Sequence, residues 1–403
     1  MPVVHSADVW KRTGRYDEVD ETLVRFRDRH GRDMVLAMTH EDIVAELAAS
    51  DIRSYRAANV IVYQIQTKFR DELRPRGGLL RTREFIMKDA YSLHTDATGL
   101  EGAYRDQAEA YGRIFRRLGL RNVHRIRSAT GVMGGTVAHE FTCLLNTGED
   151  TVVFCQECGD AWNAEVTDEL TCGSCGGAGE TRRGVEVGNI FQLGTRYSDS
   201  LRAHATGPDG KSRALVMGSY GIGISRLLAT LIEQCHDDRG IALTAATAAF
   251  DAHLVVLHTH PRLEQMAEAI HSNCTAAGVE LIWDDRGAAA GQQLNDADLI
   301  GATARVTTVA RRWTEMRWRS ANGEPVASRS WHPAMLPARH DLLSMISGLP
   351  TDGASWAPIE APALPCRSAR PRPRPHRIRA TPGRRRSGPV PVNQRRSLPR
   401  VTR

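Results

Sequence analysis

Long apolar runs are absent from this 403-residue chain. No stretch approaches the roughly eighteen residues that a membrane-crossing helix needs, which excludes a helical membrane protein. Absent as well is a basic segment followed by an apolar one at the start, Met1-Pro2-Val3-Val4-His5-Ser6-Ala7-Asp8, so no secretory leader is read and a cytoplasmic protein is expected. Lysine is scarce: Lys11, Lys68, Lys88 and Lys211 stand among 53 basic residues, the rest being arginine. Acidic residues are missing altogether from 361–403, where 13 arginines and 9 of the 18 prolines fall. The net charge of +6 hides this asymmetry, because the 53 basic groups less those 13 leave 40 against 47 acids elsewhere. Such a composition cannot bury enough apolar surface to offset chain entropy, so 347–403 is expected to be a disordered tail. It reads either as a nucleic-acid-binding arm or as a functionless product of GC-rich coding DNA, which also accounts for the arginine bias.

What remains is globular in composition, 41% hydrophobic and 25% charged, and long enough for two or three domains. No internal repeat is evident. Thr39-His40-Glu41-Asp42 ahead of Ile43, Val44 and Leu47 reads as a capping box opening an amphipathic helix, with Thr39 as the cap. Tyr104, Ala108, Tyr111, Phe115 and Leu118 recur at helical spacing, predicting a helix over 100–118. Residues 63–70 alternate strictly and predict a strand. Ile224, Leu227, Leu228, Leu231 and Ile232 give a helix with one buried face. From about 248 strands (254–257, 279–283, 304–309) alternate with helical patterns (263–277), implying a small α/β domain that ends near 346.

Three constellations carry chemistry. The strand after Tyr63 puts Gln64, Gln66, Lys68, Arg70 and Glu72 on one face, and a strand returning from Leu79 puts Arg81, Arg83 and Phe85 on another. An antiparallel hairpin would aim both faces at one site, or present a solvated face with cross-strand ion pairs. The second is Met217-Gly218-Ser219-Tyr220-Gly221-Ile222-Gly223-Ile224-Ser225-Arg226. It departs from the dinucleotide fingerprint, having Arg226 where the third glycine belongs. Glycines that admit a flat ligand, followed by an arginine at a helix start, suit an adenine or phosphate contact. The third is Cys155-x2-Cys158, thirteen residues, then Cys172-x2-Cys175. In a reducing compartment four thiolates at this spacing favour structural Zn²⁺ over redox chemistry.

Together these pieces resemble the class II aminoacyl-tRNA synthetases, specifically the bacterial-type prolyl-tRNA synthetases. Residues 63–72 and 81–92 resemble motif 2, and Gly218–Arg226 resembles motif 3. Gly134-Gly135-Thr136-Val137-Ala138-His139-Glu140-Phe141 and Glu186–Thr195 resemble segments of the family's substrate pocket. The resemblance implies an α/β fold: an antiparallel catalytic sheet with flanking helices in 1–150 and 184–240, a zinc-binding insert at 151–183, and an α/β anticodon-binding domain at 248–346. It implies that ATP, Mg²⁺, L-proline and tRNA(Pro) meet here to make prolyl-adenylate and then prolyl-tRNA. Arg70 would bridge the α-phosphate and the proline carboxylate, Glu72 would read the adenine edge, and Phe85 and Arg226 would sandwich the ring. Arg81 would hold the outer phosphates, and Gln192 and Thr195 would join the ATP contacts. Thr39 and Glu41 would grip the imino group, with His139 and Glu140 as pocket walls; a helix cap for Thr39 and a core histidine for His139 are the plain structural readings. Cys155, Cys158, Cys172 and Cys175 would hold Zn²⁺. The large editing insertion usual between motifs 2 and 3 is replaced by the cysteine module, implying no hydrolysis of mischarged tRNA in cis.

Some positions depart from the family pattern. Asn189 stands where a histidine is usual, Ser219 where cysteine is common, and Thr303 where a proline is expected. Met1–Val4 resembles only the end of motif 1, so the helix that builds the family's homodimer is expected to be missing and the chain to be monomeric or aggregation-prone. Two other readings stand beside a working ligase: a truncated synthetase that binds ATP or tRNA without full aminoacylation, and a zinc-ribbon nucleic-acid-binding protein using its basic tail.

Overall fold

The computed structural model describes residues 1–19, 21–167, 169–257, 260–309, 312–318 and 377–378. Met1–Ala249 make up most of one compact unit, and Phe250–Leu294 with Ala304–Arg317 most of a second.

The first unit opens with a small antiparallel sheet of β1 (Val4–Ser6), β2 (Arg25–Arg27) and β3 (Asp33–Leu36), order β1-β3-β2. Its partners are the short helices α1 (Ala7–Arg12) and α2 (Arg15–Glu18). Helix α3 (Glu41–Asp51) follows β3 directly. The expected capping box is corrected here. His40 takes the cap position without a side-chain cap, while the Thr39 hydroxyl accepts a hydrogen bond from Arg15 Nη1 at 3.1 Å.

The main sheet has eight strands: β4 (Val60–Phe69), β5 (Glu84–His94), β6 (Val123–Arg127), β7 (Val137–Leu144), β8 (Asp150–Cys155), β9 (Ala161–Asn163), β10 (Gly179–Gly194) and, after the hairpin β11 (His204–Thr206)–β12 (Ser212–Ala214), β13 (Val216–Gly223). The order is β4-β5-β13-β10-β7-β6-β9-β8, with β10 also pairing β8 at its start. The pairs are antiparallel except β6–β9, which is parallel. Between β5 and β6 runs α4 (Ala97–Arg117), started by Asp96, whose side chain accepts from Gly99 N–H at 2.9 Å. Its face of Tyr104, Ala108, Tyr111 and Phe115 is buried at the expected spacing against Phe141, Ile190, Tyr220 and Ile222. Helix α6 (Ile224–Gln234) adds Leu227 and Leu231 to the same side. The other side of the sheet packs Tyr91, Leu93, Phe191, Leu193 and Met217 under α3 and α5 (Arg196–Leu201). Covered on both sides, β5 and β13 are buried along most of their length, which is why they lack alternation.

The predicted hairpin exists, its strands longer than expected at their outer ends and shorter at the turn. β4 stops at Phe69 and β5 starts at Glu84 rather than Leu79, so Arg70, Glu72 and Arg81 lie in a loop. That loop closes through Arg70 N–H to the Arg83 carbonyl at 2.8 Å, and turns at Gly77-Gly78, whose positive φ of 64° and 58° glycine adopts without strain.

The second unit contains parallel strands Ala252–Val256, Leu281–Asp284 and Ala304–Val309 with helix Pro261–Ala276, the βα alternation read from the sequence. The stretch 319–346 lies outside the described residues. Of the Arg/Pro-rich tail only Arg377 and Ile378 are described, running parallel to Trp283 and Asp284.

Candidate active site

The motif-2-like loop and the glycine-rich strand converge on one cleft of about 530 Å³ including its open mouth. Arg70, Glu72, Arg81, Phe85, Glu186, Asn189, Gly221 and Arg226 are among its walls. The glycines are strand residues of β13, and they keep the floor flat: a Cβ on Gly221 would come within 2.8 Å of Asn189 Oδ1. Arg226, in the first turn of α6, donates to the Leu80 carbonyl at 2.9 Å and to Glu186 Oε2 at 3.1 Å. Asn189 Nδ2 donates to Glu186 Oε1 at 2.8 Å. Arg81 is held between Glu72 (3.2 Å) and Glu149 (2.9 Å), and Arg76 also pairs with Glu149.

Arg70 is different. Its guanidinium lies 5.2 Å from the Phe85 ring centroid, and its Nε is buried without a hydrogen-bond partner. Burial first, then the neighbouring Arg226, push it below its ordinary pKa, while Glu186, Glu72 and Glu41 pull the other way. A guanidinium stays charged through such a shift.

Glu41 carries another buried atom without a hydrogen-bond partner. It is buried; Oε1 accepts from Ser219 Oγ at 2.8 Å, and Oε2 has no hydrogen-bond partner, lying 3.7 Å from Arg15 Nη1. Arg15 organises the loop from below. It donates to Asp42 Oδ2 at 2.6 Å and to Thr39, and its guanidinium lies 4.7 Å and 5.5 Å from the Trp10 and Tyr197 ring centroids. Burial disfavours its charge, but Asp42, Tyr197 and Glu41 outweigh that and hold its pKa above the ordinary value.

Other expected residues are not brought to the cleft. His139 hydrogen-bonds the Tyr104 hydroxyl at 2.7 Å on the α4 side of the sheet, facing away from Thr39 and Glu41. Gln192 lies between Phe191 and Leu193, which pack under α3 and α5, so strand alternation turns it toward the opposite side. Thr195 caps α5 without a side-chain hydrogen bond. Glu140 stands opposite Asn189 in register, shares its face, and accepts from Asn163 Nδ2 at 3.1 Å. Burial, then the nearby Glu186, push Glu140 up to about 8.

Sequence reasoning missed Arg15, Asp42 and Glu149 as parts of this site. No spacing rule singles out a lone arginine after Gly14, and Glu149 lies 68 residues from the Arg81 it holds.

The four cysteines converge as their spacing implied. Cys155, Cys158, Cys172 and Cys175 place their Sγ atoms within 4.8 Å of one another, two pairs at 3.4 and 3.6 Å. Tetrahedral Zn–S bonds of about 2.3 Å require S–S separations near 3.8 Å, so the donor set fits this metal.

This architecture, an antiparallel sheet presenting a motif-2-like loop and a glycine strand followed by an arginine helix, is that of a class II tRNA synthetase. Residues 24–235 match the tRNA synthetase class II core domain (G, H, P, S and T). The chain is 33% identical to a proline--tRNA ligase of Salinispora tropica over 90% of this chain and 87% of that one. It is 39% identical to those of Azorhizobium caulinodans (75% of each) and Rhodospirillum rubrum (80% of each). The chain belongs to the prolyl-tRNA synthetase family. Among solved structures, its fold is similar to a Cryptosporidium parvum prolyl-tRNA synthetase complexed with L-proline and AMP (TM-score 0.61, 16% identity, 80% of this chain and 60% of that one). It is also similar to a Giardia lamblia enzyme in complex with prolyl-adenylate (TM-score 0.60, 16%, 76% and 58%).

Proposed function

We propose that the chain activates L-proline with ATP in this cleft and transfers the prolyl group to tRNA(Pro). One observation carries the reading: Glu41 Oε2 and Arg70 Nε, buried atoms of two side chains whose fields reach each other, both lack a hydrogen-bond partner. A zwitterion with an imino cation at one end and a carboxylate at the other satisfies both. Arg70 then aligns that carboxylate for in-line attack on the α-phosphorus of ATP, with pyrophosphate leaving. A tRNA terminal hydroxyl next attacks the activated carbonyl and releases AMP. Both steps need alignment and charge neutralisation more than acid–base groups. Phe85 and Arg226 hold the adenine between them, Glu72 reads its edge, and Arg81 exchanges Glu149 for the outer phosphates.

Glu186 would hold Mg²⁺, since its carboxylate lines the cleft and Mg²⁺ sits with one or two carboxylates plus substrate phosphates. When bound, the ion supplies charge neutralisation on the phosphates. The α/β unit from Phe250 would bind the tRNA anticodon. Among the described residues no helix is long and apolar enough to cross a membrane, and we place the protein in the cytoplasm, where tRNA is charged. Exposed Ile61, Tyr63 and Ile65 on edge strand β4 support self-association. The test is ATP–pyrophosphate exchange: the expected result is exchange that requires proline, and exchange indifferent to it would defeat the reading.

The cysteine module is read as a structural Zn²⁺ site. Protein purified without chelator should carry close to one equivalent of zinc. Cys172→Ser should lose it and loosen 151–183 while exchange persists, because none of the four cysteines lines the cleft. Less than half an equivalent would refute the site.

A further inference from the structure

The loop carrying Thr39 and Glu41 is tied to the sheet at its middle residue by a group that is not a wall of the cleft. His40 backbone N–H donates to the Tyr91 hydroxyl at 3.1 Å, and that hydroxyl donates to Asp89 Oδ2 at 2.7 Å. Gln64 Nε2 donates to the same oxygen at 2.8 Å. Lys68 Nζ lies 2.8 Å from Asp89 Oδ1 and donates to His40 Nδ1 at 2.7 Å, while His40 Nε2 donates to the Pro2 carbonyl at 2.9 Å. Lys68, Asp89, Tyr91 and His40 are all buried. Burial and the Lys68 cation push His40 down to about 3, so the ring is neutral and Nδ1 is free to accept.

A buried ion pair is weak evidence for stability, because desolvation opposes the attraction. What it provides is a fixed acceptor: Asp89 can turn the Tyr91 hydroxyl in one direction only, leaving the oxygen lone pair for His40. Backbone bonds fix the start of the loop, Ala37 N–H to the Val3 carbonyl at 2.8 Å and Phe69 N–H to the Ala37 carbonyl at 2.9 Å, and the ties on Thr39 and Glu41 act on side chains, from Arg15 and Ser219. The hydroxyl acts on the backbone between them.

We propose that Tyr91 is a positioning residue for amino-acid recognition: held by the Lys68–Asp89 pair, its hydroxyl fixes the backbone at His40 and so places Thr39 and Glu41 for the imino group. The proposal rests on the prolyl-adenylation reading above. Tyr91→Phe keeps the ring in the core and removes only the oxygen. In pyrophosphate exchange with each substrate varied, KM for proline should rise about tenfold while KM for ATP stays within about twofold. The melting temperature should fall by only a few degrees. An unmoved KM for proline overturns the proposal. So does an equal rise in both constants, or a melting point lower by more than about ten degrees, since either marks a general structural role. Absence of exchange in the unmodified chain would defeat the adenylation reading itself, whereas exchange in that chain with an unmoved Tyr91→Phe defeats the positioning role alone.

Discussion

Arg70→Ala is expected to lower proline-dependent pyrophosphate exchange by about a thousandfold, the scale of losing a preorganised charge at developing transition-state charge. No other described cation in the cleft can replace it. Arg226 is engaged by Glu186 and the Leu80 carbonyl, and Arg81 by Glu72 and Glu149. Folding should respond the opposite way. Arg70 is half-buried, with Nε shut off from solvent and without a hydrogen bond, so its removal relieves desolvation, and the melting temperature should hold or rise. Exchange within tenfold of the unmodified protein would reject the assignment, and a marked loss of stability would reject the account of its burial.

The second large effect is at Glu41. Glu41→Gln keeps the shape and an acceptor for Ser219 but removes the negative charge. KM for proline should rise by about a hundredfold, the upper range for a buried hydrogen bond to a charged group, and KM for ATP should be nearly unmoved. Arg15 keeps Asp42 at 2.6 Å, so the loop retains its main ion pair and the chain should remain folded. Steady-state kinetics with both substrates varied, beside thermal melting, checks the prediction; equal changes in the two KM values would show that Glu41 shapes the whole site rather than one end of it.

The two residues differ in how visible they were beforehand. Phe85 and Arg226 were legible because they sit on short-period elements, a strand and a strand–helix junction, where spacing brings side chains together, whereas Arg70 and Glu72 lie just past the end of the strand whose alternation pointed to them. The cysteine cluster was legible because four thiols at two close spacings admit few arrangements. Hairpin length was not. Alternation continues through Arg70 and Glu72, but the loop there is held by Arg83 and Glu149, contacts that no local pattern encodes. His139 and Gln192 were misplaced for a related reason. A strand covered on both sides shows no polar and apolar alternation, so the face of each residue is set by its register with neighbours far away in sequence. Arg15 was invisible because its partners are scattered over α1, the Thr39 loop, α3 and α5.

The buried Lys68 gives the skewed basic composition another meaning. In a chain that uses arginine at almost every cationic position, two of the four lysines stand in the interior rather than on the surface. Lys68 is buried in the space between Asp89 and a ring nitrogen 2.7 Å away, and Lys88 is half-buried, 2.9 Å from the Tyr111 hydroxyl. A planar fork with five donors has nowhere to lay its plane in either site, and at Lys68 it would confront a neutral imidazole that offers a single lone pair. The exchange of Lys for Arg, harmless at an exposed site such as Lys211, is therefore a severe change at Lys68. Four letters of an otherwise arginine-rich alphabet divide into two that are accidents of the surface and two that record the volume of the interior.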